Sequence, residues 1–373
     1  MTAAANDTKT DIETKPVTRP LDPAAMKRLA SEGGPCITIA VPPRHPGAAE
    51  GSRNNQIRSL VHAAQEQLNA RDRAGQWSGL LDAILELAGA EGMEAGGRGF
   101  VIFRTPSLLE RYETLDNHPA CAVVGDHFLL APFIPDAFTP RDYFILGLSR
   151  KRLGLYRCGN GECRKLELPA AVPASIEAAE GFDPMEYEAG RSGGAGGDGT
   201  VHFGTRTDRD TAPQYLKYFF DAVDRELGKC LEGKPLLLAG VHEEVSAYRL
   251  NSRYKHIPAA EIRGNVESLP LKELAARAAE AFGREYQEAG EEVLTAWHEL
   301  KDRNHTVLGI ADVLRVARQG RIHKLCVAAR AEEDADLASS VNAAVALTLA
   351  NGGNIFSVTA DRLPQSLAAI LRY

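Results

Sequence analysis

A chain of 373 residues, 44% apolar and 25% charged, is longer than one ordinary core needs and can fold as two or three domains. With 50 acidic against 43 basic residues and a formal charge of −7, it lacks the cationic excess that drives sequence-independent binding to bare DNA or RNA. Its first twenty residues carry no apolar stretch behind a basic start, and no window approaches the roughly 18 uninterrupted apolar residues of a membrane span. A cytoplasmic protein without a membrane role is the expectation.

Residues 1–20 are polar and of mixed charge and read as a disordered segment. An α/β segment is expected over 21–138: a short helix at Ala24–Leu29, the strand CITIAV at Cys36–Val41, and the rigid loop PPRHPG. Ile57, Leu60, Val61, Ala64 and Leu68 then recur at helical spacing between about Asn55 and Ala70. A further helix covers Gly79–Leu87. GFVIF is a strand ending at Phe103, two short strands lie near Ala122 and Phe128, and the proline-spaced APFIPDAFTP reads as a linker.

A second segment, 139–268, opens on the buried strand Tyr143–Ser149. A hairpin of Arg152–Arg157 and Arg164–Leu168 turns at Asn160-Gly161, a strong short-turn signal. The six cysteines are scattered and make no disulfide framework, and Cys158 and Cys163 flank the turn without a second pair to complete a zinc site. From Pro169 to Arg209 the chain is irregular, with SGGAGGDG at its centre. A helix follows near Thr211, Pro213 in its first turn and Leu216, Phe219, Phe220, Val223 and Leu227 on one face. PLLLAG at Pro235–Gly240 reads as a parallel strand buried on both faces, and His242–Leu250 as the next helix. The His242-Glu243-Glu244 run lacks a second histidine one turn on, so the zinc-protease pattern fails and the two glutamates complement the helix dipole.

The third segment, 269–373, starts with a long helix after Leu269-Pro270 running towards Asp302. ADVLRVARQG is a short helix stopped by Gly320, KLCVAA a strand, SSVNAAVALTLANGG a helix, and NIFSVT a strand. Strands alternating with helices argue an α/β sandwich.

Four strings carry a family resemblance: LAAILRY at Leu367–Tyr373, VLRVARQGRIHKLCV, FILGLSRKRLGLYRCGNGECRKLELP, and PLLLAGVHEEVSAYRL followed by Gly264-Asn265. Together they resemble the archaeo-eukaryotic translation release factor family, in its bacterial branch, which includes relatives of the eukaryotic release factor and the rescue factor Pelota. The resemblance implies a three-domain α/β protein. Its central domain would be ribonuclease-H-like, and its C-terminal sandwich would be similar to kink-turn-binding ribosomal proteins. It also implies action on the ribosome, with ribosomal RNA and peptidyl-tRNA as partners, a translational GTPase as a further one, and no DNA.

In that family a Gly-Gly-Gln tripeptide enters the peptidyl-transferase centre, where glycine permits a close backbone approach. Here Gly193-Gly194 is followed by Ala195, and Gly196-Gly197 by Asp198, so glutamine is absent from both registers. Three readings of the loop stay open: a degenerate release loop acting on the peptidyl-tRNA ester through Gly193 to Gly197, a loop that occupies the centre without chemistry as in a hibernation or stress factor, and a plain linker. Asp198, exposed among glycines, would be a weak base. Arg191, Arg206 and Arg209 are candidate RNA contacts, set against a locally neutral, solvated loop, and His202 is a candidate RNA contact or proton carrier, set against a strand-end histidine packing on the helix at Leu216. Arg315, Arg318, Arg321 and Lys324, with His323, form the most basic run and are candidate partner contacts, set against a solvated helix face. The reading calls for no cofactor and no metal.

Overall fold

The computed structural model describes residues 19–43, 51–71, 76–77, 79–89, 98–114, 118–149, 152–170, 172, 212–301, 304–329 and 335–373. Among these residues it is a mixed α/β protein with three sheets. Its residues gather into two compact units. One joins the chain up to Phe138 with Tyr286–Tyr373, and the other is Thr139–Glu285.

In the first unit, alternation along the strands decides which layer each residue enters. The sheet runs β1 (Arg19–Pro20), β4 (Leu109–Thr114), β3 (Gly99–Arg104), β2 (Cys36–Val41), β5 (Cys121–Gly125). Ile37, Ile39, Phe100 and Ile102 point to a layer covered by α2 (Ser52–Arg71) and α3 (Asp82–Gly89), through Ile57, Val61, Leu68 and Ile84. Cys36, Ala40, Val101 and Phe103 point the other way, to α1 (Pro23–Ala30) and to Phe128, Phe133 and Ile134. That second layer continues without a break into Val316, Val345, Leu349, Leu325 and Leu367, so the first and last segments of the sequence share a core.

Two expectations change here. The stretch containing APFIPDAFTP was expected as a linker, but Ala131–Phe133 is a 3-10 turn running into α4 (Ile134–Phe138), with Phe133, Ile134 and Ala137 buried. Its prolines sit where a missing N–H costs no helical bond. Phe128 lies in no strand, while Leu109–Thr114, unassigned from sequence, pairs in register with β3.

Glu110 on β4 ties α1 to this sheet. Arg28 reaches both its oxygens, at 2.8 and 2.9 Å, Arg19 adds a bond of 2.7 Å, and Tyr112 also donates to it. Burial raises its pKa, but the bonds from Arg28 and Tyr112 and the arginine charges outweigh that and hold the carboxyl below the usual carboxylate range. A depressed carboxylate contributes stability that is present above its unfolded value, about 4.3, and lost as pH falls through the folded one. Glu110→Gln should therefore be less stable than the parent near neutrality by about 1 kcal/mol, given that the site is partly open to solvent. Thermal midpoints measured at stepwise lower pH should converge below about pH 4. A constant gap across that window would refute the assignment.

The second unit is one sheet in the order β10 (Glu261–Arg263), β9 (Leu236–Gly240), β6 (Tyr143–Gly147), β7 (Gly154–Gly159), β8 (Glu162–Leu166). β9 pairs parallel with both neighbours, and all five of its residues are buried, as PLLLAG suggested. One face holds Phe144, Leu146, Leu155 and Leu238 beneath α5 (Ala212–Leu227) and α6 (His242–Asn251). The other holds Ile145, Tyr156 and Leu237 beneath Leu274, Ala278 and Phe282, from the first half of α7 (Leu271–Leu300). The β7–β8 hairpin turns at Asn160 and Gly161 as expected, and it also closes a disulfide between Cys158 and Cys163, which the sequence reading had left unbonded.

The remaining sheet, in the first unit, runs β11 (Thr306–Leu308), β14 (Leu367–Leu371), β12 (Ile322–Ala329), β13 (Asn354–Thr359). Helices α8 (Ile310–Arg318) and α9 (Ala335–Ala350) cover one face. Val293, Leu294 and Trp297 of α7 cover the other, giving a sandwich. LAAIL is thus an inner strand, antiparallel to both neighbours and buried throughout.

Candidate functional site

Gly193, Gly194, Ala195, Gly196 and Gly197, and with them Arg191, His202, Arg206 and Arg209, lie outside the described residues. What the structure does show is how the chain is held on either side. Beyond β8, Val172 is buried in the central core and its N–H donates to the Pro169 carbonyl at 2.8 Å. On α5, Phe219, Phe220, Val223 and Leu227 are all buried against the sheet.

Asp224, on α5, is the polar hub of this region. Its Oδ1 accepts from the Tyr248 hydroxyl at 3.2 Å and from the Ser252 hydroxyl, and its Oδ2 accepts from the Arg253 N–H at 2.8 Å. The carboxylate thereby ties Ser252 and Arg253, just past the end of α6, to α5. Tyr248 is fully buried and stands edge-on to Phe220, 5.3 Å between ring centres. Burial, and then the Asp224 charge, push its hydroxyl well above the ordinary tyrosine range, so it serves as a fixed donor. Arg249 on α6 donates to the carbonyls of Pro258, Ala259 and Ala260 and pins the following loop. Each of these contacts is structural. Together they form a rigid base on which α5 rests.

The basic run is divided. Arg315 and Arg318 lie exposed on α8, whose Val313, Val316 and Ala317 are buried. Arg315 pairs with Asp312 at 3.0 Å, an exposed ion pair of little energetic weight. Gly320, at φ 67°, ends the helix as the sequence suggested. Arg321 then donates to the Tyr373 carbonyl at 2.7 Å and stacks on its ring at 5.4 Å, while its own carbonyl accepts from the Arg372 N–H at 2.9 Å. Arg372, in no basic run of the sequence, donates to the Asn351 carbonyl. A register shift between Ile322 and Lys324 follows. Lys324 shares the face of Cys326, with its Nζ 6.0 Å from the Phe356 ring, on the side of the sheet away from α8. The structure thus sets Arg321 against Tyr373, turns the Arg372 side chain to the Asn351 carbonyl, keeps Arg315 and Arg318 on the helix surface, and sets Lys324 apart.

Among the described residues no group of His, Cys, Asp and Glu side chains is arranged to hold a metal ion, and no helix is long and apolar enough to cross a membrane. His242 stands in the first turn of α6 with Glu243 and Glu244, 3.8 Å from Glu261.

Residues 142–321 match the model of bacterial archaeo-eukaryotic release factor family 3. That span includes every strand of the central sheet, both flanks of the glycine-rich stretch, and α8 through Arg321. No curated protein matches the chain. Among solved structures, an archaeal translation termination factor, aRF1, is 14% identical, with 94% of this chain and 96% of that one covered and a TM-score of 0.24. Pelota of Archaeoglobus fulgidus is 11% identical over 95% and 93%, with a TM-score of 0.33. Dom34 of S. cerevisiae, described as a translation termination-like factor in RNA quality control that interacts with Hbs1, is 10% identical over 74% and 80%, with a TM-score of 0.36. At scores this low, no functional conclusion rests on them.

Proposed function

We propose that this chain, a member of the bacterial archaeo-eukaryotic release factor family through its residues 142–321, is a translation factor that acts on the ribosome and reaches peptidyl-tRNA with the stretch Gly193 to Gly197. The observation that carries the reading is the match itself. It brackets a stretch with four glycines in five positions, where the backbone can approach a partner with no Cβ in the way. Arg191, His202, Arg206 and Arg209 flank that stretch and would grip RNA phosphates, fixing its register without reading sequence. Arg315 and Arg318, exposed on α8, would meet a protein partner, a translational GTPase in this reading, with Arg321 beside them and Lys324 on the other side of the sheet.

The proposed reaction is hydrolysis of the peptidyl-tRNA ester on a stalled ribosome. Purified stalled complexes carrying labelled nascent peptide should release it when the chain is added. Deleting Gly193–Gly197 should slow release about a hundredfold or more, the loss associated with removing one positioning or stabilising contact at a reacting centre. Parent protein that binds such complexes but releases nothing defeats the catalytic reading. That outcome would favour the second one, a non-catalytic factor that occupies idle ribosomes under stress. A specific feature already speaks for it: Ala195 and Asp198 stand where either register would need glutamine.

A further inference from the structure

The outer edge of the central sheet carries chemistry that the ribosomal reading does not use. Asn160 and Gly161, at φ 53° and 78°, form the two-residue turn between β7 and β8. Gly159 and Glu162 are the closing pair, which makes Cys158 and Cys163 the next one out. In an alternating ladder that is the non-hydrogen-bonded position, where facing residues come closest. Their Cα atoms are 4.1 Å apart and their sulfurs are bonded.

The two cysteines differ in access. Cys158 faces Tyr143 across the ladder and is buried with it under α7, where Tyr143 meets Phe282 edge-on at 4.9 Å. Cys163 is half-buried on β8, whose other residues are exposed or half-exposed. Among the described residues β8 is the edge of its sheet and pairs with β7 alone. The other four cysteines are free, and burial pushes the Cys36 and Cys326 thiols up to about 11 and about 12, so neither competes as a nucleophile.

We propose that Cys158 and Cys163 are a reversible oxidation site, a dithiol–disulfide couple that reacts with low-molecular-weight disulfides and clasps the edge strand β8 onto β7. Cys163, the accessible partner, attacks as thiolate one sulfur of a disulfide such as oxidised glutathione and expels one glutathione thiolate. Cys158 then gives up its proton and attacks the Cys163 Sγ, expelling the second. The chain loses two electrons and two protons, and one glutathione disulfide becomes two thiols. Excess thiol drives the same steps backwards.

The test equilibrates the full chain in glutathione buffers from reducing to oxidising, quenches with acid, and alkylates under denaturing conditions before intact-mass measurement. Alkyl and glutathione adducts together should number six under reducing conditions and four under oxidising ones, since the exposed Cys230 can carry glutathione whereas a bonded Cys158–Cys163 pair carries neither, with a single two-electron step between the two counts. Cys158→Ser should lose the step altogether. Hydrogen exchange adds a structural readout: β8 amides should exchange about tenfold more slowly in the oxidised chain. Six adducts at every poise, a surviving two-adduct loss in Cys158→Ser, or β8 exchange equal in both states would each overturn the proposal.

Discussion

Replacing Asn342 with alanine is expected to cost the unit that contains it about 3–5 kcal/mol, because two buried backbone groups lose their partners at once. Asn342 lies in α9, 7% exposed. Its Oδ1 accepts from Leu130 N–H at 2.8 Å and, at longer range, from Ala131 N–H, while its Nδ2 donates to the Phe128 carbonyl at 2.6 Å. No water can replace the side chain in a layer packed with Phe128, Phe133, Val345 and Leu349. Asn342→Asp should also fail, since it keeps the acceptor but turns a carboxylate oxygen towards the Phe128 carbonyl. Chemical denaturation read through fluorescence and hydrogen exchange within Cys36–Val41 would report the loss. A change under about 0.5 kcal/mol, the size of an ordinary surface substitution, would show that this contact does not hold the shared core.

The next largest effect is expected at Asp224. Alanine there strands the buried Tyr248 hydroxyl and frees Ser252 and the Arg253 N–H at the end of α6, for a loss of about 2–4 kcal/mol. Asparagine keeps an acceptor for Tyr248 and Ser252 but opposes a donor to the Arg253 N–H, so it should cost less, about 1–2 kcal/mol. Urea midpoints for the parent and both variants check the order. Equal midpoints for alanine and asparagine would mean that the hub acts through packing instead of through its bonds.

These two positions also show what a sequence can and cannot say. Asp224 sits in a helix with a plain apolar face and Asn342 in one that is apolar almost all round, yet their partners lie 24 to 29 residues away in one case and 211 to 214 in the other. No local pattern marks such a bond. The strands β2, β3 and β9 were legible because each is a dense apolar run, and the β7–β8 hairpin because Asn160-Gly161 favours positive φ at both positions. β4 was missed for the opposite reason. Its row Leu109, Arg111, Glu113 towards the α2–α3 layer and its row Glu110, Tyr112, Thr114 towards α1 show no apolar alternation, and what holds it is β3 on one side and the two-residue β1 on the other, with Arg28 and Arg19 clamped on Glu110. The prolines of APFIPDAFTP hid a buried turn because they signal interruption more strongly than Phe133, Ile134 and Ala137 signal a core.

At the candidate site the same division holds. The glycine stretch and its arginines were visible from composition alone, and the family model meets the chain on both sides of them. Arg315, Arg318, Arg321 and Lys324 looked like one patch because they are neighbours in sequence. The turn at Gly320 and the register shift in β12 separate them, and Arg372 joins Arg321 only because β14 lies next to β12. A partner that docks on this region should therefore respond to Arg315 and Arg318 more than to Lys324.

Whether the chain acts on the ribosome at all is decided by density-gradient sedimentation of lysates from growing and from starved cells, with the chain followed by a tag. Co-migration with ribosomal particles in at least one of the two conditions is expected, weakened when Arg191, Arg206 and Arg209 are changed together to alanine and weakened further at raised salt, as phosphate contacts require. A chain that stays at the top of the gradient in both conditions would contradict the ribosomal reading in its catalytic and its non-catalytic form alike.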